Sequence, residues 1–445
     1  MEQYQDFLLV MTLLAIAAAV GTFSIKHFKV YYIPVAFLAT LTIIVLYISK
    51  PPGIPDGMAS IVDFIEFDTL ILMFSMEIIT RIAEKERVFQ YLAIKLVRAS
   101  KANPRVLFYA MNLVAAFFAS IISGVMVAII FMPLVIRVVM VLDMDPAPFL
   151  FGLLFSINLG CLLTPVKNII ISTTAASVVT GGEGTLTILF YLQHVWLFFF
   201  IAWGVTMIIL DATMIRNHVV VPDSTIRTIL EILSGRIVMD KEHRKRFYSL
   251  LVLTISMFIA INLTSSAALV ALACAMILTI SSKTKFKRIL KSVEWEFLMY
   301  TATMFILVGI LGKLEFIEVI SSGLASLTGG KPLVGVLMLY LISFAFSSFL
   351  TSGTVSLLFV PIVTTMAASG QFSSVPVPLL VGLILSTNLG GNITPYGSSF
   401  TLLVLEKIET QVIDGFSFKA IFKLDVKLGT LQFLMGFTFL VLTSL

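Results

Sequence analysis

The chain has 445 residues, of which 59% are hydrophobic and 12% charged, with a net charge of +5 and a mean hydropathy of +1.05. A soluble domain carries about 25% charged residues, so a water-soluble protein is excluded. The surplus of Lys and Arg sits in short loops, as membrane topology requires, and does not argue for nucleic acid.

In chain order, the acidic N-terminus MEQYQDF lacks a basic leader region. The first apolar stretch, Phe7–Ile25, therefore reads as a retained span, not a cleaved signal. A second span follows at Val30–Ser49, then an acidic loop over 51–66, then a third span from Phe67. Residues 81–105 carry seven Lys and Arg. Residues 104–142 are too long for one span and return to their starting side, which predicts a re-entrant helical hairpin with Ser123 and Gly124 at its tip. The run NLGCLLTPVKN then predicts a helix broken in mid-membrane over 158–168, because proline lacks an amide donor and glycine relaxes the backbone. A span at Leu186–Leu210 leads to a polar linker, 211–246, with seven Lys and Arg.

The second half opens with spans at Phe247–Thr264 and Ala267–Ser281, a basic loop at 283–291 and a span from Phe297. A second hairpin is predicted over 332–370, with Thr351, Ser352, Gly353 and Thr354 at its tip. A second broken helix is predicted over 388–399, and a last span at Leu428–Leu445. Taking basic loops as cytoplasmic, both termini lie outside and the 211–246 linker inside.

The halves repeat each other. NLGCLLTP at Asn158–Pro165 recurs as NLGGNITP at Asn388–Pro395, an offset of 388 − 158 = 230. SIISGVMVAIIFMP at Ser120–Pro133 recurs as SFLTSGTVSLLFVP at Ser348–Pro361, and IEFD at Ile65–Asp68 as VEWE at Val293–Glu296, both offset by 228. The span after Asp68 enters from outside and that after Glu296 from the cytoplasm, so the repeats are inverted. Inverted repeats are typical of transporters and place the solute site near the midplane at discontinuous helices. The expected site residues are Ser123, Gly124, Asn158, Gly160, Thr164, Lys167 and Asn168 from the first repeat. From the second they are Thr351, Ser352, Gly353, Thr354, Asn388, Gly390, Gly391, Asn392, Thr394, Gly397, Ser398 and Ser399.

Lys167 is the sharpest of these, because a charge at membrane depth costs ~2.5–3.5 kcal/mol or more. It either binds an anion or replaces a coupling cation; the alternative is a lysine that snorkels or pairs for stability. Glu77 has Arg81 four residues on, the spacing of an ordinary helical ion pair, and reads as structural. Cys161 reads as a small apolar filler and His194 as packing. No metal cluster, catalytic triad or phosphate loop is visible, so neither an enzyme nor a cofactor is expected.

The run from FDTLILMFSMEIITRIAEKERVF to FFASIIS, then MPLVI, LDMDPAPFLFGLLFSINLG, NIIIST and NLGGNITPYGSSFTLLVLE, resembles the ion-transporter superfamily. That group includes arsenite permeases, citrate and dicarboxylate transporters and sodium/proton antiporters. The resemblance covers roughly 62–180 and 292–408. It implies a scaffold domain, a mobile domain holding both hairpins and both broken helices, and elevator-like movement. In the sodium-dependent carboxylate branch the hairpin tips carry a Ser-Asn-Thr signature; here they read Ser123-Gly124-Val125 and Thr351-Ser352-Gly353. That departure favours a proton-coupled, exchange or uncoupled mechanism over sodium coupling, with Lys167 in the place of the cation.

The expectation is thus an all-α polytopic protein of the prokaryotic plasma membrane, with about ten transmembrane helices and two re-entrant hairpins in two inverted repeats. The first repeat is 1–210, with scaffold spans in 1–100 and the hairpin and broken helix in 104–180. The second is 247–445, with scaffold spans in 247–312 and the mobile elements in 332–408. The expected function is secondary transport of a small anion or metalloid oxyanion such as arsenite or a carboxylate. The coupling ion would be H+ in preference to Na+. The rival readings are sodium/proton antiport and a channel. The expected partners are the solute, the bilayer and, by the resemblance, a second copy in a homodimer.

Overall fold

The computed structural model describes residues 2–24, 32–48, 61–85, 103–122, 124–141, 145–180, 185–215, 267–282, 285–329, 331–368, 372, 374–398, 400–401, 404–405 and 417–444. Every regular element among them is helical. The first group is α1 (Glu2–Ser24), α2 (Tyr32–Ile48), α3 (Phe67–Lys85), α4 (Pro104–Ala119), α5 (Gly124–Val141), α6 (Ala147–Gly160), α7 (Ile169–Thr174), α8 (Ile188–His194) and α9 (Trp196–Leu210). The second is α10 (Ala267–Ser281), α11 (Trp295–Lys313), α12 (Phe316–Leu327), α13 (Pro332–Ser347), α14 (Ser352–Ala368), α15 (Pro376–Leu389) and α16 (Phe418–Ser444). The span expected at Phe247–Thr264 and the linker 216–246 lie outside the described residues.

The repeat seen in the sequence is a repeat of helices. α3 and α11 begin and end 228 residues apart (295 − 67, 313 − 85), as do α4 and α13 (332 − 104, 347 − 119). α6 and α15 are offset by 229 (376 − 147). α5 carries Pro133 and α14 carries Pro361, again 228 apart. Packing repeats as well: α4 lies along α6, and α13 along α15.

Local chemistry sets the ends. Asn103 caps α4 by accepting from the amides of Arg105 (3.1 Å) and Val106 (3.3 Å), and Pro104 fills the first turn, where no donor is needed. Buried hydroxyls inside the helices bond to the preceding turn: Thr12, Thr40 and Thr80 each donate to the carbonyl four residues back at 2.7–2.8 Å. This is how an apolar surrounding tolerates them. Trp196–Met214, Trp295–Lys313 and Phe418–Ser444 are long and apolar enough to cross a membrane, and shorter apolar helices accompany them. Leu38 (65% exposed), Ile280 (79%) and Leu442 (69%) are bare on the outer surface, as lipid contact allows.

Several boundaries differ from the sequence expectation; in the first hairpin the turn begins at Ser120, and Gly124, expected at the tip, opens α5. The last span is 27 residues long, beginning at Phe418 instead of Leu428. The stretch Leu186–Leu210 is divided near Val195 into α8 and α9. In the second hairpin the turn is Ser348–Thr351, and Ser352, Gly353 and Thr354 form the first turn of α14.

Each broken helix is held tightly to its hairpin. A Cβ on Gly160 would run into the Ala116 backbone, and one on Gly390 would stand 2.6 Å from Ser347 Cβ and 2.7 Å from the Phe344 carbonyl. Residues 116 and 344 are again 228 apart. We expect Gly160→Ala and Gly390→Ala each to cost ~1–3 kcal/mol through overpacking. In thermal unfolding in detergent both should melt lower than wild type, whereas Gly204→Ala, with open space around it, should not.

Candidate functional site

Both helices predicted to break do so. α6 ends at Gly160, and residues 161–168 pass through turns before α7 restarts at Ile169. α15 ends at Leu389, followed by single 3-10 turns at Gly390–Asn392 and Pro395–Gly397. Pro165 and Pro395 remove amide donors, so carbonyls upstream lose their helical partners and must find others.

One is the Gly391 carbonyl, which accepts from Asn158 Nδ2 at 3.4 Å, and side-chain bonds hold both breaks in place. Thr164 donates its hydroxyl to the Ser120 carbonyl and Thr394 to the Ser348 carbonyl, tying each break to its own hairpin turn. Asn168 Nδ2 donates to the Cys161 carbonyl at 3.0 Å. Further bonds cross between the repeats. Asn388 Nδ2 donates to Asn168 Oδ1 at 2.8 Å, and Asn158 Nδ2 donates to Asn392 Oδ1 at 2.6 Å. Asn392 Nδ2 in turn donates to Gln432 Oε1 at 2.7 Å, and Gln432 Nε2 to Thr206 at 2.9 Å.

These elements enclose a cavity of about 360 Å³, within the size range of small-molecule sites. Of the expected residues, Gly124, Asn158, Lys167, Asn168, Thr351, Ser352, Gly353, Asn388, Gly391, Gly397 and Ser398 line it. Both hairpins and both broken helices therefore meet at one place. Six expected residues stand behind the wall instead. Gly160 and Gly390 permit close packing. Thr164, Asn392 and Thr394 hold the breaks together, and Thr354 bonds Thr351 (3.0 Å) and Tyr300 (3.4 Å). Ser123 and Ser399 lie outside the described residues. Ser398 is buried, and its Oγ finds no hydrogen-bond partner among the described residues.

The cavity also contains Glu77, which the sequence reads as structural, and Glu294, which sequence reasoning passed over. Glu77 on α3 and Glu294, just before α11, share its wall with Lys167, and the three lie within Coulombic reach of one another. The helical pair Glu77–Arg81 exists, but at 3.4 Å; the closer partner of Arg81 is Glu294, at 2.8 Å. Arg81 also reaches Met126 Sδ on α5 at 3.1 Å. Lys167, Glu77 and Glu294 thus face the cavity, and Arg81, not itself on its wall, holds the two carboxylates. The only signal for Glu294 was its place in the repeated VEWE segment. Cys161 lines the cavity with its thiol directed to the Ile157 carbonyl at 3.3 Å. His194 packs on Phe190. Among the described residues no cluster of three or more His, Cys, Asp or Glu could hold a metal ion.

The sequence matches the citrate transporter family CitMHS over residues 7–375 and again over 315–443. The chain belongs to this family. It is an integral membrane transporter, not an enzyme. Relatives of this transporter include a 46 kDa membrane protein of Mycobacterium leprae, 28% identical over 346 residues, covering 77% of this chain and 78% of that protein. An uncharacterized transporter of Mycobacterium tuberculosis is likewise 28% identical, with the same coverage. The mouse P protein is 22% identical over 97% of this chain and 60% of its own length. In fold, the transporter resembles the crystal structure of the Alcanivorax borkumensis YdaH transporter, described as having an unusual topology. The TM-score is 0.61 at 12% identity, covering 92% of this chain and 97% of that one.

Arg81 is 13% exposed and holds two carboxylates, Glu77 at 17% and Glu294 at 40% exposure. Removing it strands both charges, whereas Glu294 can turn to water. We expect Arg81→Met to cost about 3 kcal/mol in this transporter and Glu294→Gln less than about 1 kcal/mol, read as the order of their melting temperatures in detergent.

Proposed function

We propose that this transporter moves a small anion, a carboxylate or an oxyanion, by elevator-type alternating access, coupled to protons or by exchange. The observation that carries this reading is the Lys167 ammonium on the wall of a cavity bounded by both hairpins and both broken helices. The hairpins, the broken helices, α9 and α16 form the moving body in this reading, and α1, α2, α3, α10 and α11 the scaffold. The two halves have opposite orientation, with basic loops cytoplasmic.

The site is not symmetric, and its asymmetry bears on the solute. Lys167 corresponds by the 230-residue offset to Gly397, and Asn168 to Ser398. Asn168 is consumed by internal bonds, while the Ser398 hydroxyl, on a residue of the cavity wall, has no hydrogen-bond partner among the described residues. One end of the solute then meets an ammonium and the other meets the hydroxyls of Ser398, Thr351 and Ser352. A small carboxylate with a second polar group fits this pattern, and so does a hydroxylated metalloid oxyanion.

Cation/proton antiport is the second reading, and Glu77 and Glu294 at the cavity favour it. Arg81 already neutralises part of that charge, so anion transport is preferred.

The test is uptake into proteoliposomes of citrate, succinate, sulfate, arsenite and sodium, each with and without a pH gradient. Saturable counterflow of one anion is expected, lost in Lys167→Ala and weakened in Ser398→Ala, both variants remaining folded. Normal kinetics in Lys167→Ala would remove that residue from the site. Sodium-driven proton flux with no anion flux would move the assignment to antiport. Single-channel currents without counterflow would move it to a channel.

A further inference from the structure

One carboxylate inside the membrane region has no role in the cavity. Asp425 lies on α16 and is 6% exposed. It occupies the inward face of the helix with Ile421, Leu428, Gly429 and Gln432, while Lys419, Lys423 and Lys427 are exposed on other faces. Among the described residues Asp425 makes no hydrogen bond and no ion pair. The helices packed most closely against α16 are α9, α13 and α15. They carry no Lys, Arg, His, Asp or Glu; Tyr340 on α13 is engaged with the Phe433 carbonyl. The adjoining turns, Gly390–Asn392 and Pro395–Gly397, carry no Lys, Arg, His, Asp or Glu. Asp211, which follows α9, is already held by Arg105 and Tyr109 at 3.4 Å.

A carboxylate buried without a counter-charge is compensated by a proton or a cation. A metal ion would need several oxygen ligands, whereas a proton needs this carboxylate alone. The same helix face leads to the cavity. One turn beyond Asp425, Gly429 abuts the Asn392 carbonyl. Two turns beyond, Gln432 accepts from Asn392, which accepts from Asn158 on the cavity wall. We propose that Asp425 is a proton-binding site of the moving body, separate from the solute cavity and linked to it through Gln432 and Asn392. It takes up one proton as a carboxylic acid on one side of the membrane and releases it as carboxylate on the other. This rests on the reading of the chain as an alternating-access transporter.

The test compares wild type, Asp425→Asn and Asp425→Glu in proteoliposomes, with radiolabelled citrate as the probe. Infrared spectra of the same proteins are recorded across pH without any solute. Citrate counterflow at equal pH is expected to persist in Asp425→Asn, while accumulation driven by an imposed pH gradient is lost. A protonated-carboxyl band that titrates in wild type should be missing from that variant. Asp425→Glu should restore accumulation with a displaced pH midpoint. Gradient-driven accumulation and a pH profile identical to wild type in Asp425→Asn would overturn the proposal. If wild type shows no citrate counterflow, the substrate reading fails, but the infrared arm still decides: a missing band supports Asp425, an intact band overturns it. If Asp425→Asn does not fold, Asp425→Glu decides: a displaced carboxyl midpoint supports the site, an unmoved one overturns it.

Discussion

A polypeptide that leaves its helix inside a bilayer exposes amides and carbonyls to a medium that cannot bond them, and each unsatisfied group costs several kcal/mol. In this protein two such interruptions occur, and side-chain hydrogen bonds tie each to the other and to the hairpin of its own half. The side chains of Asn158 and Asn388, at the ends of two helices 230 residues apart, donate to Asn392 and Asn168 on opposite breaks. The threonine beside each proline closes onto the hairpin turn of its own half. The breaks persist because they sit face to face. The polar space between them is what remains when that mutual repair is complete.

The repair is symmetric; the leftover chemistry is not. One repeat contributes an ammonium where the other has glycine, and one spends an asparagine internally where the other leaves a serine hydroxyl unbonded. α3 and the start of α11 add two carboxylates and the guanidinium that binds them both. Arg81 also touches α5 near its start. The charge cluster therefore bridges α3 to a hairpin.

Much of this was legible in the amino-acid sequence, for definite reasons. The repeated NLG and TP pairs carry backbone chemistry, so the breaks and their partnership could be read directly. A stretch too long for one span that returns to its starting side, and the hydroxyl run at Thr351–Thr354, marked the hairpins. Tertiary selection was hidden. Nothing in the sequence separates Thr394, which faces a carbonyl, from Ser398, which faces the cavity. Glu294 reads as a loop residue next to a tryptophan, and only packing brings it to Arg81. Asp425 escaped because three lysines nearby make its stretch look like a polar approach to the membrane, whereas the helix starts ten residues earlier than hydropathy places it. The division of α8 from α9 was masked by an unbroken aromatic run.

The claim beneath all of this is that the two broken segments are energetically one unit, and a double-mutant cycle tests it most directly. Asn388→Ala, Asn168→Ala and the double variant would be compared by reversible unfolding in detergent or bicelles. A coupling energy of about 1 kcal/mol or more between positions 220 residues apart is the predicted result. Effects that simply add, to within about 0.3–0.5 kcal/mol, would contradict it and separate the two halves of the site.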